Sequence, residues 1–386
     1  MEKKKILFVI GNMNVGGIQK SMLEMLKALS LDKNYEVSLF CAKKTGKFLS
    51  MIPENIKILP ENKYARLTEE SVSGAKSLGF GMYLRRAIYS LWSKKFTKEK
   101  PFKSICKKVG IIEGEYDVAI SYSQPVKDDA FYNICNELVL NCTKADKKIT
   151  FVHCDFASYG GNTARNRKLY ERFDKIASCS DSVGKKLVEC IPSVKDKVFT
   201  VYNLCDVEQI TSLGKEDSVV YDKPTIVTVA RLSEEKGHVR VLNVLKRIKD
   251  EGVDFSWRLV GGGPLERLIK QKIAEFGLED SVIMEGEQTN PYRFVKNADF
   301  LLLASYHEAA PIVFDEAMVL GVTVLSTNTL SAKELVEGRD IGYVCENSEE
   351  GLYSLIKNAL SEQIAKKEKK VLDSQFRKKQ FDNLCE

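Results

Sequence analysis

The sequence lacks the cysteine and histidine patterns that mark structural metal sites and disulfide frameworks. Its ten cysteines, from Cys41 to Cys385, include no CxxC pair, and the 386 residues contain only three histidines, none at ligand spacing from two cysteines. We therefore expect no structural metal, and we expect reduced thiols, as in a cytoplasmic protein. The opening MEKKKILFVIGNM has no small-residue cleavage site, so a secretory signal is not expected.

Long apolar runs and low-complexity segments are also missing. Charges interrupt every long apolar stretch before it reaches the ~18 residues that a membrane-spanning helix needs, so we expect no such helix. Only nine prolines and 24 glycines occur, whereas apolar residues make up 44% of the chain and charged residues 29%. This composition excludes collagen-like and largely disordered chains. The length favours two domains of roughly 150 to 200 residues each.

The net charge of +6 conceals a difference between the two halves of the chain. Residues 1–205 contain 35 Lys and Arg against 22 Asp and Glu, a net charge of +13. Residues 206–386 contain 24 against 31, a net charge of −7. Much of the basic excess lies in residues 84–108, which hold nine basic residues and one acidic residue. The two halves are therefore expected to face different partners.

Within that basic segment, Leu84, Ile88, Leu91 and Trp92 recur at helical spacing and predict one apolar face with basic flanks. Such a helix is typical of a protein that lies on an anionic membrane surface. A solvated basic face above a stripe packed in the core is an equally good interpretation. Nucleic acid is disfavoured, because no recognised binding motif is present. The membrane interpretation assigns the contact to Arg85, Arg86, Leu91, Trp92, Lys94 and Lys95.

Apolar segments of strand length, such as KKILFVI, alternate with helical patterns, such as IQKSMLEMLKAL, along the whole chain. Because these strands are apolar throughout, we expect parallel sheets that are covered on both faces, in two doubly wound, Rossmann-like α/β domains. The polar segment near 205–222 is expected to link them. We place the domains at 1–205 and 206–365, and we expect a charged C-terminal helix over 366–386 that packs on the first domain or frays.

Ligands of such sheets bind at the carboxyl ends of the strands. Gly16 and Gly17 follow the first strand, but the spacing is not GxGxxG and no acidic residue ends the second strand, so a dinucleotide cofactor is disfavoured. Alternatively, these glycines let the helix pack closely against the sheet. Farther along, Arg231 and Lys236 share one strand-to-helix loop and can both reach a diphosphate, although two balanced surface cations fit equally.

Two further segments of the second half carry candidate ligand contacts. In the turn that contains Gly262 and Gly263, the missing side chains would let a nucleotide approach the backbone. An ordinary turn is the alternative interpretation. In the segment YHEAAPIVFDEAM, Glu308 and Glu316 frame a helix start, and carboxylates accept hydrogen bonds from sugar hydroxyls. Without a role in ligand binding, Glu316 would be a half-buried acid that has no partner. We expect the backbone amides near this helix start to point at the strand ends. They belong to the segment Ala309, Ala310, Pro311 and Ile312.

Taken in order, the RLxxxKG loop, the GxGP turn and the E-x7-E span resemble family 4 glycosyltransferases of the GT-B fold, and the resemblance covers nearly the whole chain. It implies two Rossmann-like domains that face each other across a cleft, and a C-terminal helix that returns to the first domain. It also implies a metal-independent, retaining hexosyltransferase without a cofactor, in which the first domain binds the acceptor and the second binds the nucleotide sugar.

The resemblance also assigns roles to residues. Arg231 and Lys236 would neutralise the leaving diphosphate, Glu308 would hold the donor hexose, and Glu316 the ribose. His153, in the segment VHCD, would contact the reacting sugar, although a lone histidine near apolar residues is otherwise more often structural. The expected partners are a UDP-sugar, a polyprenyl-diphosphate-linked or glycan acceptor, and the inner face of the cell membrane. Gly16, Gly17, Gly262, Gly263 and the segment 309–312 complete the expected donor site.

Two departures from the family pattern leave the donor sugar open. Ala309 stands where glycine is usual, and the segment LSAKE replaces the usual glycine pair before glutamate. A noncatalytic accessory subunit of a protein- or polysaccharide-glycosylating complex is the alternative function, and the presence of all five expected polar site residues disfavours it. A nucleotide-dependent dehydrogenase is disfavoured by the broken glycine motif.

Overall fold

The structure is a computed structural model of the chain, and it describes residues 3–124 and 127–386. The chain divides into two compact units. The first unit extends to Leu204 and includes the C-terminal segment Gln375–Glu386, and the second unit is Cys205–Ser374. Each unit contains one parallel sheet with helices on both sides.

The first unit has a seven-stranded sheet, in the order β3-β2-β1-β4-β5-β6-β7. Its first strand shows why the sheet is parallel, because the last five residues of Lys4–Ile10 are all buried and therefore face helices on both sides. The strands are β1 Lys4–Ile10, β2 Tyr35–Cys41, β3 Lys57–Ile58, β4 Glu115–Ser121, β5 Lys144–Val152, β6 Lys175–Ser178 and β7 Val198–Thr200. The helices are α1 Gly17–Ser30, α2 Lys63–Arg66, α3 Phe80–Lys95, α4 Glu99–Val109, α5 Cys135–Cys142, α6 Ala164–Tyr170 and α7 Asp181–Cys190.

The second unit has a six-stranded sheet, in the order β10-β9-β8-β11-β12-β13. Its core gathers the apolar faces of the strands and of the flanking helices around the fully buried Trp257. The helices are α8 Val207–Lys215, α9 His238–Asp250, α10 Glu266–Glu275, α11 Tyr292–Val295, α12 Ile312–Leu320 and α13 Glu349–Leu360. The strands are β8 Thr225–Val229, β9 Ser256–Val260, β10 Val282–Gly286, β11 Phe300–Leu303, β12 Thr323–Thr327 and β13 Gly342–Cys345.

Both sheets reverse their strand order at the first strand of the unit. In the first sheet β1 pairs with β2 on one side and β4 on the other. In the second sheet β8 pairs with β9 and β11 in the same way. The crossovers leave these neighbouring strands in opposite directions, so a crevice forms at their carboxyl ends. The predicted doubly wound α/β architecture is confirmed.

Three segments differ from the sequence-based expectation. Much of the expected linker is helix α8, because Asp206 caps its start through Gln209 N–H at 2.8 Å and Ile210 is buried. The basic segment 84–108 is divided between α3 and α4. At the C-terminus, helix occupies only α14 (Ser374–Cys385), and the preceding residues 361–373 are irregular. Within the described ranges, none of the helices has both the length and the apolar character needed to cross a bilayer.

Helix α14 belongs to the core of the first unit. Phe381 is fully buried and stacks on Phe8 of β1, with the ring centroids 6.1 Å apart and the planes 21° apart. Tyr35 of β2 packs edge-on against the same ring at 6.2 Å. Its hydroxyl donates to Asp382 at 2.7 Å. The C-terminal helix therefore covers the start of the sheet and does not fray.

Truncating Phe381 tests this role of the C-terminal helix. We expect Phe381→Ala to lower the free energy of unfolding of the first unit by about 3–5 kcal/mol, because it leaves a cavity between α14 and the sheet. Phe376→Ala on the same helix is the control, since that ring is 53% exposed. Denaturant unfolding measures both variants. Equal small effects would mean that α14 is not part of the folded core.

Candidate functional site

Two loops of the second unit lie side by side at the carboxyl ends of β8 and β11. The cation loop (residues 230–237) follows β8 and carries Arg231 and Lys236. The glutamate loop (residues 304–311) follows β11 and carries Glu308. Because β8 and β11 are paired neighbours, the two loops leave the sheet at the same crevice.

Direct contacts join the two loops. The Lys236 ammonium forms an ion pair with Glu308 Oε1. The Ser305 hydroxyl donates to the same carboxylate oxygen at 2.8 Å. The backbone N–H of Tyr306 donates to the carbonyl of Glu235 at 2.8 Å. The structure thus brings together two residues that are 72 positions apart, and both side chains retain partial exposure, 20% for lysine and 14% for glutamate.

Arg231, on the same loop as Lys236, is accessible to a ligand. Its side chain is exposed, and it forms no ion pair within the part of the chain that the structure describes. The Ser233 hydroxyl donates to the Glu235 carboxylate at 2.6 Å, and this hydrogen bond, together with the charges of Arg231 and Lys236, lowers the pKa of Glu235 against the opposing effect of burial. Arg231 and Lys236 are thus cations with access to solvent and with carboxylates nearby, an arrangement that fits both a diphosphate site and two balanced surface cations.

The glycine turn after β9 packs against the cation loop. A Cβ on Gly261 would lie 2.0 Å from the carbonyl oxygen of Ala230, and a Cβ on Gly263 would lie 2.5 Å from that of Leu232. Both glycines have positive φ, +146° and +158°. At Gly262, by contrast, a Cβ would meet only the side chain of Glu287, at 3.8 Å. Close backbone packing thus requires two of the glycines, whereas Gly262 faces open space.

Helix α12 follows the glutamate loop, and Pro311 is its N-cap residue. Pro311 itself has no N–H group, so it cannot contribute the amide that the sequence analysis counted among the donors. The amides of Ile312 and Val313, at the start of the first turn, have no acceptor within the helix, whereas the Phe314 N–H donates to the Pro311 carbonyl at 3.2 Å. Ala309 is buried and Ala310 half-buried beside this start. The helix therefore offers N–H donors at the same edge of the sheet as Glu308.

Glu316 lies within α12 and is only 4% exposed. Contrary to the expectation of no structural partner, the Tyr292 hydroxyl of α11 donates to Oε1 of Glu316 at 3.2 Å. The neighbouring Asp315 is paired with Arg339 at 2.7 Å. Sequence reasoning missed Tyr292 because no local spacing connects it with Glu316. Among the described residues, no three His, Cys, Asp or Glu side chains form a cluster able to hold a metal ion.

The expected contacts of the first unit lie at the carboxyl edge of its own sheet. Gly16 is the N-cap residue of α1, and Gly17 is its first residue. A Cβ on Gly17 would meet nothing within 4 Å, and a Cβ on Gly16 only the flexible side chain of Gln19. Close packing of the helix on the sheet therefore does not require these glycines, and their backbone is open to a ligand.

His153 follows β5 and packs against two aromatic rings. Its ring centroid is 4.6 Å from that of Tyr122 and 5.5 Å from that of Phe151, which is nearly parallel to it. Nε2 is buried without a hydrogen bond from the described residues. Burial lowers the pKa of His153 to about 4, although a hydrogen bond that the imidazole donates to the backbone of Tyr122 opposes the shift. The imidazole is therefore neutral at pH 7.

Gln124 positions His153. No sequence pattern points to Gln124. Its side-chain oxygen accepts the backbone N–H groups of His153 at 2.6 Å and of Cys154 at 2.9 Å. Its own carbonyl accepts from Asn133 Nδ2 at 2.7 Å. No sequence motif connects residue 124 with residue 153, because only the neighbouring strands β4 and β5 bring them together.

The apolar stripe of α3 is exposed and is not part of the core. Leu84, Ile88, Leu91 and Trp92 are between 38% and 67% exposed, and Ser93 is the only residue of the helix that is fully buried. The interpretation as a stripe packed in the core is therefore wrong. Lys94 and Lys95 are exposed and Arg85 is half-buried.

Arg86 differs from the other basic residues of α3. Its Nε donates to the Glu70 carbonyl at 2.8 Å, and its guanidinium lies 4.9 Å from the centroid of the Phe131 ring. Burial lowers the pKa of Arg86. This arginine holds α3 against the unit and is poorly placed for an outside partner.

Comparison with known proteins identifies the second unit. Residues 214–379 match the family described as glycosyl transferases group 1. The chain is 28% identical over 209 residues to N-acetyl-alpha-D-glucosaminyl L-malate synthase of Bacillus anthracis, covering 52% of this chain and 54% of the relative. It is 28% identical over 218 residues to the N-acetylgalactosamine-N,N'-diacetylbacillosaminyl-diphospho-undecaprenol 4-alpha-N-acetylgalactosaminyltransferase of Campylobacter jejuni, covering 56% and 58%. The chain thus spans about half the length of these curated relatives.

Solved structures extend the likeness of the fold to both units. The structure of Anabaena HepE in complex with UDP aligns with a TM-score of 0.62 at 16% identity, over 93% of this chain and 90% of that one. WaaG, a glycosyltransferase involved in lipopolysaccharide biosynthesis, aligns with a TM-score of 0.58 at 14% identity, over 98% and 94%. Residues 214–379 therefore match the glycosyl transferases of group 1, and the chain is a two-domain α/β protein of the GT-B fold.

Proposed function

We propose that the chain is a retaining glycosyltransferase that moves a hexose from a UDP-sugar to a lipid-linked or glycan acceptor in cell-surface polysaccharide biosynthesis. The observation that carries this proposal is the meeting of Lys236 and Glu308 beside Arg231, where the strand order of the second sheet reverses. Two cations and a hydroxyl-binding carboxylate at one crevice suit a sugar diphosphate. The UDP bound to HepE and the diphospho-undecaprenol in the name of the Campylobacter relative support the donor and the acceptor class.

The proposed reaction replaces one glycosidic bond by another on the same face of the sugar. The bond between the anomeric carbon and the diphosphate oxygen breaks, and the acceptor oxygen bonds to the same carbon. The departing phosphate oxygen takes the acceptor proton, so no separate base is required. Arg231 and Lys236 stabilise the negative charge that develops on the diphosphate, a task that needs no divalent ion when two side-chain cations perform it.

The carboxylates serve recognition in this proposal. Glu308 accepts hydrogen bonds from hexose hydroxyls, and the Lys236 ammonium and the Ser305 hydroxyl already orient it. Glu316 is assigned to the ribose, and the Tyr292 hydroxyl orients its carboxylate. Gly262, Ala310 and the amide of Ile312 provide backbone groups for the phosphates.

The neutral state of His153 fits its assigned contact with the reacting sugar. A neutral imidazole can donate or accept a hydrogen bond without repelling an oxocarbenium-like centre, whereas an imidazolium would repel it. The alternative proposal, a noncatalytic accessory subunit, does not require a neutral His153 or the pairing of Lys236 with Glu308.

The donor reaction is tested by incubating the chain with a panel of nucleotide sugars, in EDTA, and measuring nucleoside diphosphate release. We expect release from a UDP-sugar, and we expect Arg231→Ala and Lys236→Ala each to lower turnover by about 10²-fold, because each removes one charge contact to the leaving group. Lys246→Ala is the matched control, since its ammonium pairs with Asp250 on the exposed face of α9.

The controls separate loss of chemistry from loss of fold. Circular dichroism should show both loop variants to be folded, and Lys246→Ala should retain wild-type turnover. Wild-type rates in Arg231→Ala and Lys236→Ala would remove the proposed donor site. A strict requirement for Mg²⁺ would contradict the metal-independent mechanism, and no release from any donor would favour the accessory-subunit alternative.

The protonation of the buried histidines gives a second prediction. Burial lowers the pKa of both His153 and His238 to about 4, with the Lys236 charge contributing at His238. Because the folded-state pKa lies below the unfolded value of about 6.5, stability is complete above that pH and is lost as the pH falls towards 4, at up to about 1.4 kcal/mol per pH unit for each histidine.

NMR titration checks this prediction directly, because the chain has only three histidines. We expect two imidazole signals, assigned with His153→Gln and His238→Gln, to shift with midpoints near pH 4. Titration of the His153 signal near pH 6.5 would show that it is solvated, and would remove the neutral-imidazole role.

We propose further that the exposed face of α3 binds an anionic membrane surface, where a lipid-linked acceptor is held. The exposed Leu91 and Trp92 lie next to Lys94 and Lys95, and the residues up to position 205 carry a net charge of +13. Apolar side chains enter the headgroup boundary, while cations pair with lipid phosphates. Each cation near the surface contributes about 1 kcal/mol.

The triple variant Arg85→Gln/Lys94→Gln/Lys95→Gln tests membrane binding. We expect roughly 10²-fold weaker sedimentation with phosphatidylglycerol vesicles and slower transfer to lipid acceptors, with unchanged nucleotide-sugar hydrolysis. Arg86 is left intact because it is engaged within the unit. The control Arg267→Gln/Lys270→Gln/Lys272→Gln removes the same charges from α10. Equal vesicle binding by the two triple variants would contradict a specific role for α3.

A further inference from the structure

A buried arginine without an acidic partner lies directly beneath the glutamate loop. Arg240 of α9 is only 3% exposed, and no carboxylate of the described residues lies within ion-pair distance of it. Its Nε and Nη2 both donate to the carbonyl of Ala304, at 3.1 and 2.6 Å. Ala304 is the first residue of the glutamate loop, so the guanidinium holds the point where that loop leaves β11.

The same guanidinium also contacts the next turn of the loop. Its central carbon lies 3.9 Å from the centroid of the Tyr306 ring, a distance typical of a cation–π contact. Tyr306 is held from two other sides, because its N–H donates to Glu235 and its carbonyl accepts from Asn347 Nδ2 at 3.1 Å. Arg240 therefore contacts the loop on both sides of Ser305, which lies three residues before Glu308.

The Ala304 carbonyl also lies against the backbone of the cation loop. A Cβ on Gly237, which has a φ of +70°, would lie 2.1 Å from this oxygen. Gly237 directly follows Lys236, so a shift of the Ala304 carbonyl would move the backbone beside the lysine. The single acceptor that Arg240 binds thus touches both loops of the site.

Stability alone does not explain this arginine. A buried cation without a carboxylate is unfavourable relative to an apolar side chain of similar length, and burial accordingly lowers the pKa of Arg240. An arginine does offer geometry that a lysine lacks, because its planar fork can donate two hydrogen bonds to one oxygen while its face stacks on a ring.

We propose that Arg240 is a positioning residue that sets the register between the cation loop and the glutamate loop. Through the Ala304 carbonyl and the Tyr306 ring it fixes where Glu308 lies relative to Arg231 and Lys236. Its effect on turnover rests on the glycosyltransferase function proposed above. Its effect on the mobility of the two loops does not depend on that function.

A second arginine on the same helix provides the control for the experiment. Arg247 stacks on Tyr353 at 3.4 Å and pairs with Glu350 on the exposed side of α9, away from both loops. We compare Arg240→Met, Arg240→Lys and Tyr306→Leu with the controls Arg247→Met and Tyr353→Leu. Amide hydrogen exchange over residues 231–237 and 304–308 measures loop mobility. UDP affinity and nucleoside diphosphate release, measured as kcat and KM, give the functional effect.

We expect Arg240→Met and Tyr306→Leu to accelerate exchange in both loops by at least about tenfold, and to lower kcat by about 10- to 100-fold, because misplacement of catalytic groups by an ångström has effects of this size. UDP affinity should change less than about threefold, since Arg231 and Lys236 remain. Arg240→Lys should behave like Arg240→Met, because the charge is kept but the fork is lost. The two control variants should match the wild type in loop exchange and turnover.

Other results would contradict the positioning role of Arg240. Wild-type kcat and loop exchange in Arg240→Met would overturn it, and wild-type behaviour of Arg240→Lys would show that charge, and not register, matters. If Arg240→Met does not fold, Tyr306→Leu decides, since that ring is 45% exposed. If the wild type releases no nucleoside diphosphate from any sugar, the proposed function fails while the exchange data still test the positioning role.

Discussion

The pairing of β8 with β11 is the constraint on which the candidate site depends. These strands are separated by 70 residues of chain, yet they are neighbours because the sheet grows outward on one side of β8 and then returns to its other side. Their loops must therefore leave the sheet together. The ion pair between Lys236 and Glu308, the hydrogen bond between Tyr306 and Glu235, and the grip of Arg240 on Ala304 are consequences of that adjacency. None of them can form between the isolated segments.

The two units differ in whether the ionisable residues of the proposed site are buried. In the first unit burial holds His153 neutral beside Tyr122 and Phe151, so that a group that titrates near physiological pH elsewhere stays uncharged. In the second unit the cations of the site keep access to solvent, as Arg231 and Lys236 do, and only Arg240 is buried. Charge is thus available where a phosphate is proposed to bind, and excluded where a positively charged reaction centre is proposed.

Two amphipathic helices of the first unit show what composition leaves undecided. Both α3 and α14 are rich in Lys and Arg and carry a few aromatic residues. Helix α14 places Phe381 in the core against Phe8, whereas α3 leaves Leu91 and Trp92 exposed. The periodicity of each helix indicates an apolar face, but whether a sheet covers that face is decided by distant strands. The exposure of α3 thus favours the membrane interpretation over a stripe packed in the core, two alternatives that the sequence of the helix leaves open.

The amino-acid sequence by itself determined the fold class and most of the candidate site. Continuous apolar strands required parallel sheets, and the positions of Arg231, Lys236, Glu308 and Glu316 after strands placed them at carboxyl ends, because local periodicity and motif spacing are encoded within a few residues. Only the tertiary structure decided which of these groups touch. It paired Lys236 with Glu308, supplied Tyr292 to Glu316 and Gln124 to His153, and turned Arg86 inward. It also revealed Arg240 beneath the site. These contacts join residues 16 to 72 positions apart, and such partners are set by strand order and packing, which no local pattern records.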